Sequence, residues 1–168
     1  MKVTSAQAAK ILRKYEDDMR SILEIEGQSN CFVAAVGEDI ESVRPVYDYA
    51  GTQAKLIALE DKVRAIRHAL NVFNSTQVVA EFGMTIDQIL VLMPQLTRRR
   101  DKLREMKSVL PKSRVEHMRS TSNIIDYRYA NYDIAAVEKD YDEISDRLAK
   151  LQTALDTVNN TVEFDLDI

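Results

Sequence analysis

Apolar side chains recur through residues 56–73 in steps of three and four: Leu56, Leu59, Val63, Ile66, Leu70 and Phe73. Residues at that spacing share one face of an α-helix, so the stretch predicts a long amphipathic helix packed lengthwise on a neighbour. The same steps return 85 positions later as Tyr141, Ile144, Leu148, Leu151, Leu155 and Val158. Polar positions return with them: Asp61-Lys62 answers Asp146-Arg147, and Asn74-Ser75-Thr76 answers Asn159-Asn160-Thr161. The match reaches back to Tyr47-Asp48 and Ala50, which meet Tyr132-Asp133 and Ala135. Two such copies half a chain apart read as a duplicated helical unit.

The remaining elements follow from caps, breaks and shorter patterns. Thr4 and Gln7 form a capping box that opens a first helix, with Ala8, Leu12, Tyr15, Met19 and Ile22 as its seam and Gly27 as its stop. Cys31 to Val36 is continuously apolar and predicts a buried strand or extended segment, followed by a loop over residues 37–45. Asp48 caps the second helix, which runs to about Phe73. The chain is then extended through Gln77 to Phe82 and breaks at Gly83. Thr85 and Gln88 repeat the capping box at the head of a third helix, kinked at Pro94 and closed at Pro111. Its seam resumes at Leu103, Met106 and Leu110, and the interval after Leu96 puts Arg99 or Arg100 where an apolar side chain would sit. Residues 112–121 read as loop and Ile124 to Tyr129 as β-prone. Asp133 caps the fourth helix, with Tyr132 stapled onto Val137, and that helix runs to about Val158. In the tail, Val162, Phe164, Leu166 and Ile168 alternate with acids, the pattern of a half-buried strand.

The expectation is an all-α fold: four long helices in two antiparallel, coiled-coil-like hairpins related by a pseudo-twofold, with short β segments at helix ends. It forms one domain over residues 1–168, with repeat 1 at about 1–84 and repeat 2 at about 85–168. Four glycines and three prolines agree with long uninterrupted elements. The long seams and unpaired strand edges need cover, which predicts a homo-oligomer.

Charge changes the picture in one place. The net charge is −4, yet residues 97–119 hold nine Lys/Arg against three acids. Arg98, Arg99, Arg100, Lys102, Arg104 and Lys107 are candidate anion-binding residues within it. Three successive arginines spread around a helix rather than along one face, and Asp101 and Glu105 interrupt them. The band is read as docking on the acidic second repeat, with nucleic acid or another anionic partner as the alternative. Tyr127, Tyr129 and Tyr132 interleave with Arg128 and Asn131, either as a base-stacking surface or as tyrosines on a strand face.

Candidate chemistry is sparse. Neither histidine, His68 or His117, has the Glu-x-x-His spacing of a carboxylate-bridged metal bundle, and His68 reads as solvent-facing. Cys31, the one cysteine, sits in an apolar run where a thiol is inert packing. Glu38, Asp39 and Glu41 cluster without calcium-loop spacing and read as solvated charge. No glycine-rich phosphate loop or nucleophile elbow occurs. The two Asn-x-Thr triplets at 74–76 and 159–161 read as asparagine helix stops rather than glycosylation sites. No cofactor is implied. Residues 1–7 lack a signal-peptide pattern and no apolar run could span a bilayer, so a cytoplasmic location is expected.

Leu70-Asn71-Val72-Phe73-Asn74, Gly83-Met84-Thr85-Ile86, Arg100-Asp101-Lys102-Leu103 and the helix from Leu151-Gln152 to Asn159 together resemble a bacterial helical family labelled "septicolysin". The resemblance implies a helical fold and no site residue. Its label implies a thiol-activated cytolysin, whereas this chain has no tryptophan and no long amphipathic β-hairpins. The function expected is that of a non-enzymatic interaction or scaffold protein acting as a homo-oligomer. Nucleic-acid binding through 97–119 is the alternative, and an enzyme with a carboxylate site between subunits is the third reading.

Overall fold

The computed structural model describes residues 1–115 and 125–168. The protein is mostly α-helical with short strands. In chain order the elements are β1 (Lys2–Thr4), α1 (Ser5–Ser29), α2 (Ile40–Val43), α3 (Tyr49–Thr76), β2 (Val78–Val79), β3 (Met84–Thr85), α4 (Ile86–Lys107), β4 (Lys112–Arg114), β5 (Tyr127–Tyr129), α5 (Ile134–Thr161) and β6 (Glu163–Asp165).

Local chemistry sets the helix starts. Thr4 and Thr85 each accept a hydrogen bond from the backbone N–H three residues on, at 3.3 Å, while Gln7 and Gln88 accept one back from the cap's own N–H. Asp48 and Asp133 cap α3 and α5, accepting from the N–H of Gly51 at 3.0 Å and of Ala135 at 2.9 Å. A β-carbon at position 51 would lie 2.2 Å from the Asp48 carboxylate and push that capping side chain aside. α3 and α5 are both 28 residues long, and their first residues, Tyr49 and Ile134, are 85 positions apart.

The chain divides into two compact units. The first comprises Met1–Gln77 and Thr157–Ile168. Within it α1 and α3 run antiparallel, as Glu26 bonds Gln53 and Glu16 pairs with Arg67. Val3, Ala8, Ile66 and Leu166 form the core, with Ile11, Leu12, Tyr15, Leu70 and Phe164 packed around it. β1 and β6 pair antiparallel with Val3 opposite Phe164, and the Phe164 ring stacks on Phe73 at 4.7 Å between centroids. The Met1 ammonium donates to the Leu166 carbonyl at 2.7 Å. Tail alternation thus sends Leu166 inward, 1% exposed.

The second unit is Val78–Asp156. β2 and β3 form a tight hairpin whose turn closes at Gly83, φ 62°, a left-handed conformation suited to glycine. α4 buries Ile86, Ile89, Leu96 and Leu103. In this unit α5 buries Val137, Ile144, Leu148, Leu151, Ala154 and Leu155. β4 and β5 pair antiparallel with Ser113 opposite Arg128.

Several expectations are corrected. Gly27 does not stop α1, which continues to Ser29 and is capped by Asn30, since a helix tolerates an exposed glycine near its end. Residues 31–36 form no strand and are largely exposed, and no described strand pairs with them. Asn74 and Asn159 lie inside α3 and α5, which run on to Thr76 and Thr161, where the threonine hydroxyls bond back onto the preceding turn. By contrast, the third helix does run through Pro94, as α4 from Ile86 to Lys107. Leu110 falls beyond that helix and is 64% exposed, because Ser108 caps it first. The expected 112–121 loop begins as strand β4, and the β-prone stretch narrows to Tyr127–Tyr129. Tyr132 anchors by donating its hydroxyl proton to the Met106 carbonyl at 2.8 Å. His117, Ile124 and the end of the basic band, residues 116–119, lie outside the described residues.

Candidate interaction surfaces

The α1–α3 connection concentrates exposed apolar surface. Val33, Val36 and Val46 are 92%, 109% and 101% exposed. Leu23, Ile25, Ile40 and Tyr49 also present more than half of their surface to solvent. Isolated exposed apolar residues are ordinary, but a contiguous set marks an interaction surface. The segment is nonetheless ordered by local bonds. Glu38 accepts from the Ala35 N–H at 2.8 Å, Asp39 caps α2, and Arg44 pairs with Glu41 at 2.8 Å while lying over the Phe32 ring. The acidic cluster Glu38, Asp39 and Glu41 therefore has structural work in this turn. Cys31 is exposed rather than packed.

A clasp closes the base of this segment. Glu26, near the end of α1, accepts from the Tyr47 hydroxyl at 2.5 Å and from Gln53 Nε2 at 2.9 Å. The hydrogen bond to Glu26, together with desolvation and the carboxylate's charge, pushes the Tyr47 phenol up to about 12. Beyond the clasp, the α3 seam is covered unevenly: Leu56, Ile66 and Phe73 are buried, whereas Leu59 and Val63 are half-buried. The equivalent α5 positions Ile144 and Leu148 are buried.

The basic band occupies α4 and the hairpin after it. Arg98, Arg99 and Lys102 are exposed and form no ion pair among the described residues. Arg100 and Arg104 both pair with Asp101, within α4. Arg100 is the half-buried one, placed between Leu96 and Leu103, and its Nε is enclosed without a hydrogen-bond partner. Lys107 lies over the Tyr141 ring at 4.2 Å. The structure thus brings together Arg100, Asp101 and Arg104, and leaves Arg98, Arg99 and Lys102 facing solvent.

On the β4–β5 hairpin, Tyr127 and Tyr129 are 47% and 61% exposed, and the Lys112 ammonium sits 4.1 Å from one ring centroid and 5.5 Å from the other. Contact with both rings puts them on one face, as residues two apart in a strand must be. Leu110 and Ile125 beside them are also exposed. This apolar and basic surface was legible only as charge and tyrosines, because Leu110 carried the helix period into the loop.

Grooves between α1 and α3 are open to solvent. One of about 450 Å³ is lined by Met19, Glu60, Arg64, Arg67, His68 and Asn71, all on the surface, with Arg67 paired to Glu16 and Arg64 to Asp61. Among the described residues no group of three His, Cys, Asp or Glu side chains could hold a metal ion, and no helix is long and apolar enough to cross a membrane.

No family model matches the chain, and no curated protein matches it. The crystal structure of a functionally unknown conserved protein from Corynebacterium diphtheriae has a similar fold, with a TM-score of 0.63 at 16% identity over 98% of this chain and 100% of that one. At that identity the likeness concerns the fold alone.

Proposed function

We propose that the protein is a non-enzymatic interaction or scaffold protein that acts as a homo-oligomer and arose by duplication of a helical unit. The observation that carries the reading is the ordered, apolar α1–α3 connection, with three valines at or near full exposure. Burying such side chains yields roughly 1.5–3 kcal/mol each, a strong drive to associate. The duplication draws on α3 and α5: equal length, an aspartate cap each, and a following short strand. The resemblance to the septicolysin-labelled family and a cytoplasmic setting belong to the same proposal. Sedimentation velocity at micromolar concentration tests it: an oligomer is expected, and a strict monomer refutes self-association.

A second reading, binding of a nucleic-acid backbone, is favoured by Arg98, Arg99 and Lys102 standing exposed and without an ion pair among the described residues. It expects affinity to fall with salt by about 0.9 log units per log unit for each duplex phosphate contacted, and absence of any shift at low salt refutes it.

A further inference from the structure

We propose that copies of this chain associate through unlike surfaces, the acidic apolar α1–α3 connection of one copy seated on the basic aromatic β4–β5 hairpin of another. The inference rests on the self-association reading and adds which surfaces meet.

The argument is one of complementarity. Between Ser21 and Ala50 the chain carries six acids, Glu24, Glu26, Glu38, Asp39, Glu41 and Asp48, against Arg44 alone. Around the hairpin, residues 107–115 and 125–132 carry Lys107, Lys112, Arg114 and Arg128 against Asp126. Each surface also holds exposed apolar side chains: Val33, Val36 and Val46 on the first, Leu110, Ile125 and Tyr129 on the second. Either surface set against its own copy would place like charges around a desolvated apolar centre, which steers copies apart. Contact between the two unlike surfaces sets acids against bases while covering both apolar sets. The hairpin is prepared for it, since Lys112 is already held over Tyr127 and Tyr129 and loses little freedom on meeting a carboxylate.

The experiment uses two full-length charge variants, each checked for unchanged helical content by circular dichroism. One carries Glu24→Lys, Gln28→Lys and Val33→Lys, at exposed positions that take no part in the bonds ordering the turn; the other carries Lys112→Glu, Arg114→Glu and Arg128→Glu. Sedimentation velocity should find each variant alone associating at least roughly tenfold more weakly than wild type, and weakening with salt in the wild type. The equimolar mixture should recover association, because the intact acidic surface of one variant meets the intact basic surface of the other. If the hairpin variant associates like wild type, or the mixture fails to recover, docking of the connection on the hairpin is overturned while self-association stands. A monomeric wild type overturns both. Should a charge variant lose helix, Val36→Ser and Leu110→Ser, both exposed, take the places of the two with the same expected outcomes.

Discussion

Truncating Ile66 and Leu151 to alanine probes the two seams. Both are 0% exposed, and they stand 85 residues apart, Ile66 on α3 and Leu151 on α5. Each truncation deletes buried carbons and leaves a cavity, which costs about 2–5 kcal/mol. Leu59, on the same face as Ile66, is half-buried, so Leu59→Ala should cost about half as much, roughly 1–2.5 kcal/mol, in the monomer. Urea unfolding followed by circular dichroism reads this as a lower midpoint at unchanged slope. In thermal melts the two buried variants should lose roughly 2–4 °C per kcal/mol. The comparison with Leu59 is the discriminating part. If Leu59→Ala costs as much as Ile66→Ala at concentrations where the protein is monomeric, the half-buried seam is wrong. If Leu151→Ala costs under about 0.5 kcal/mol, α5 is not packed as described.

Thr4→Ala and Thr85→Ala each remove one capping box and should cost about 0.5–2 kcal/mol, adding in the double variant because the caps share no partner, as chemical denaturation will show. The Tyr47 phenol is raised from 10.0 to about 12 by its bond to Glu26, so its contribution to stability is complete below pH 10 and is lost as pH rises through 12. An ultraviolet titration should therefore show one late-ionising tyrosine that Tyr47→Phe removes. Pro94→Ala restores a missing donor at an exposed site inside α4 and should stabilise by about 1–3 kcal/mol; a loss would mean that α4's neighbours are fitted to the proline.

The helices could be read from the chain because their determinants are local. A threonine with glutamine three residues on, or an aspartate before an apolar run of period 3.6, fixes a start whatever the rest of the molecule does, and all four long helices begin at such a residue. What local pattern cannot supply is a partner. Cys31 to Val36 has the composition of a buried strand, but a strand needs an edge to pair with and no described strand pairs with it. Conversely Lys2–Thr4 is a strand only because Glu163–Asp165 lies alongside, a pairing between residues more than 150 positions apart. The basic band was visible as charge, yet its division into paired Arg100 and Arg104 and, without an ion pair among the described residues, Arg98, Arg99 and Lys102 depends on which way Asp101 turns. The α1–α3 surface is hidden from local pattern for the same reason: an apolar run looks alike whether a partner buries it or solvent meets it.

The β1–β6 pairing has a consequence for synthesis. The unit that begins with Met1 is completed by residues 157–168, whose Leu166 belongs to the same core as Val3, Ala8 and Ile66. Between Gln77 and Thr157 the ribosome must make the other unit, about 80 residues, which takes roughly 4–16 s at ordinary elongation rates. During that interval α1 and α3 can pair, but their core lacks Leu166 and Phe164 and the first strand has no partner. Residues 1–77 thus wait for residues 157–168 to finish their unit, with the apolar α1–α3 connection made well before them. Codons that slow elongation over residues 78–156 should lengthen that exposure and raise aggregation, whereas slowing over residues 1–20 should not.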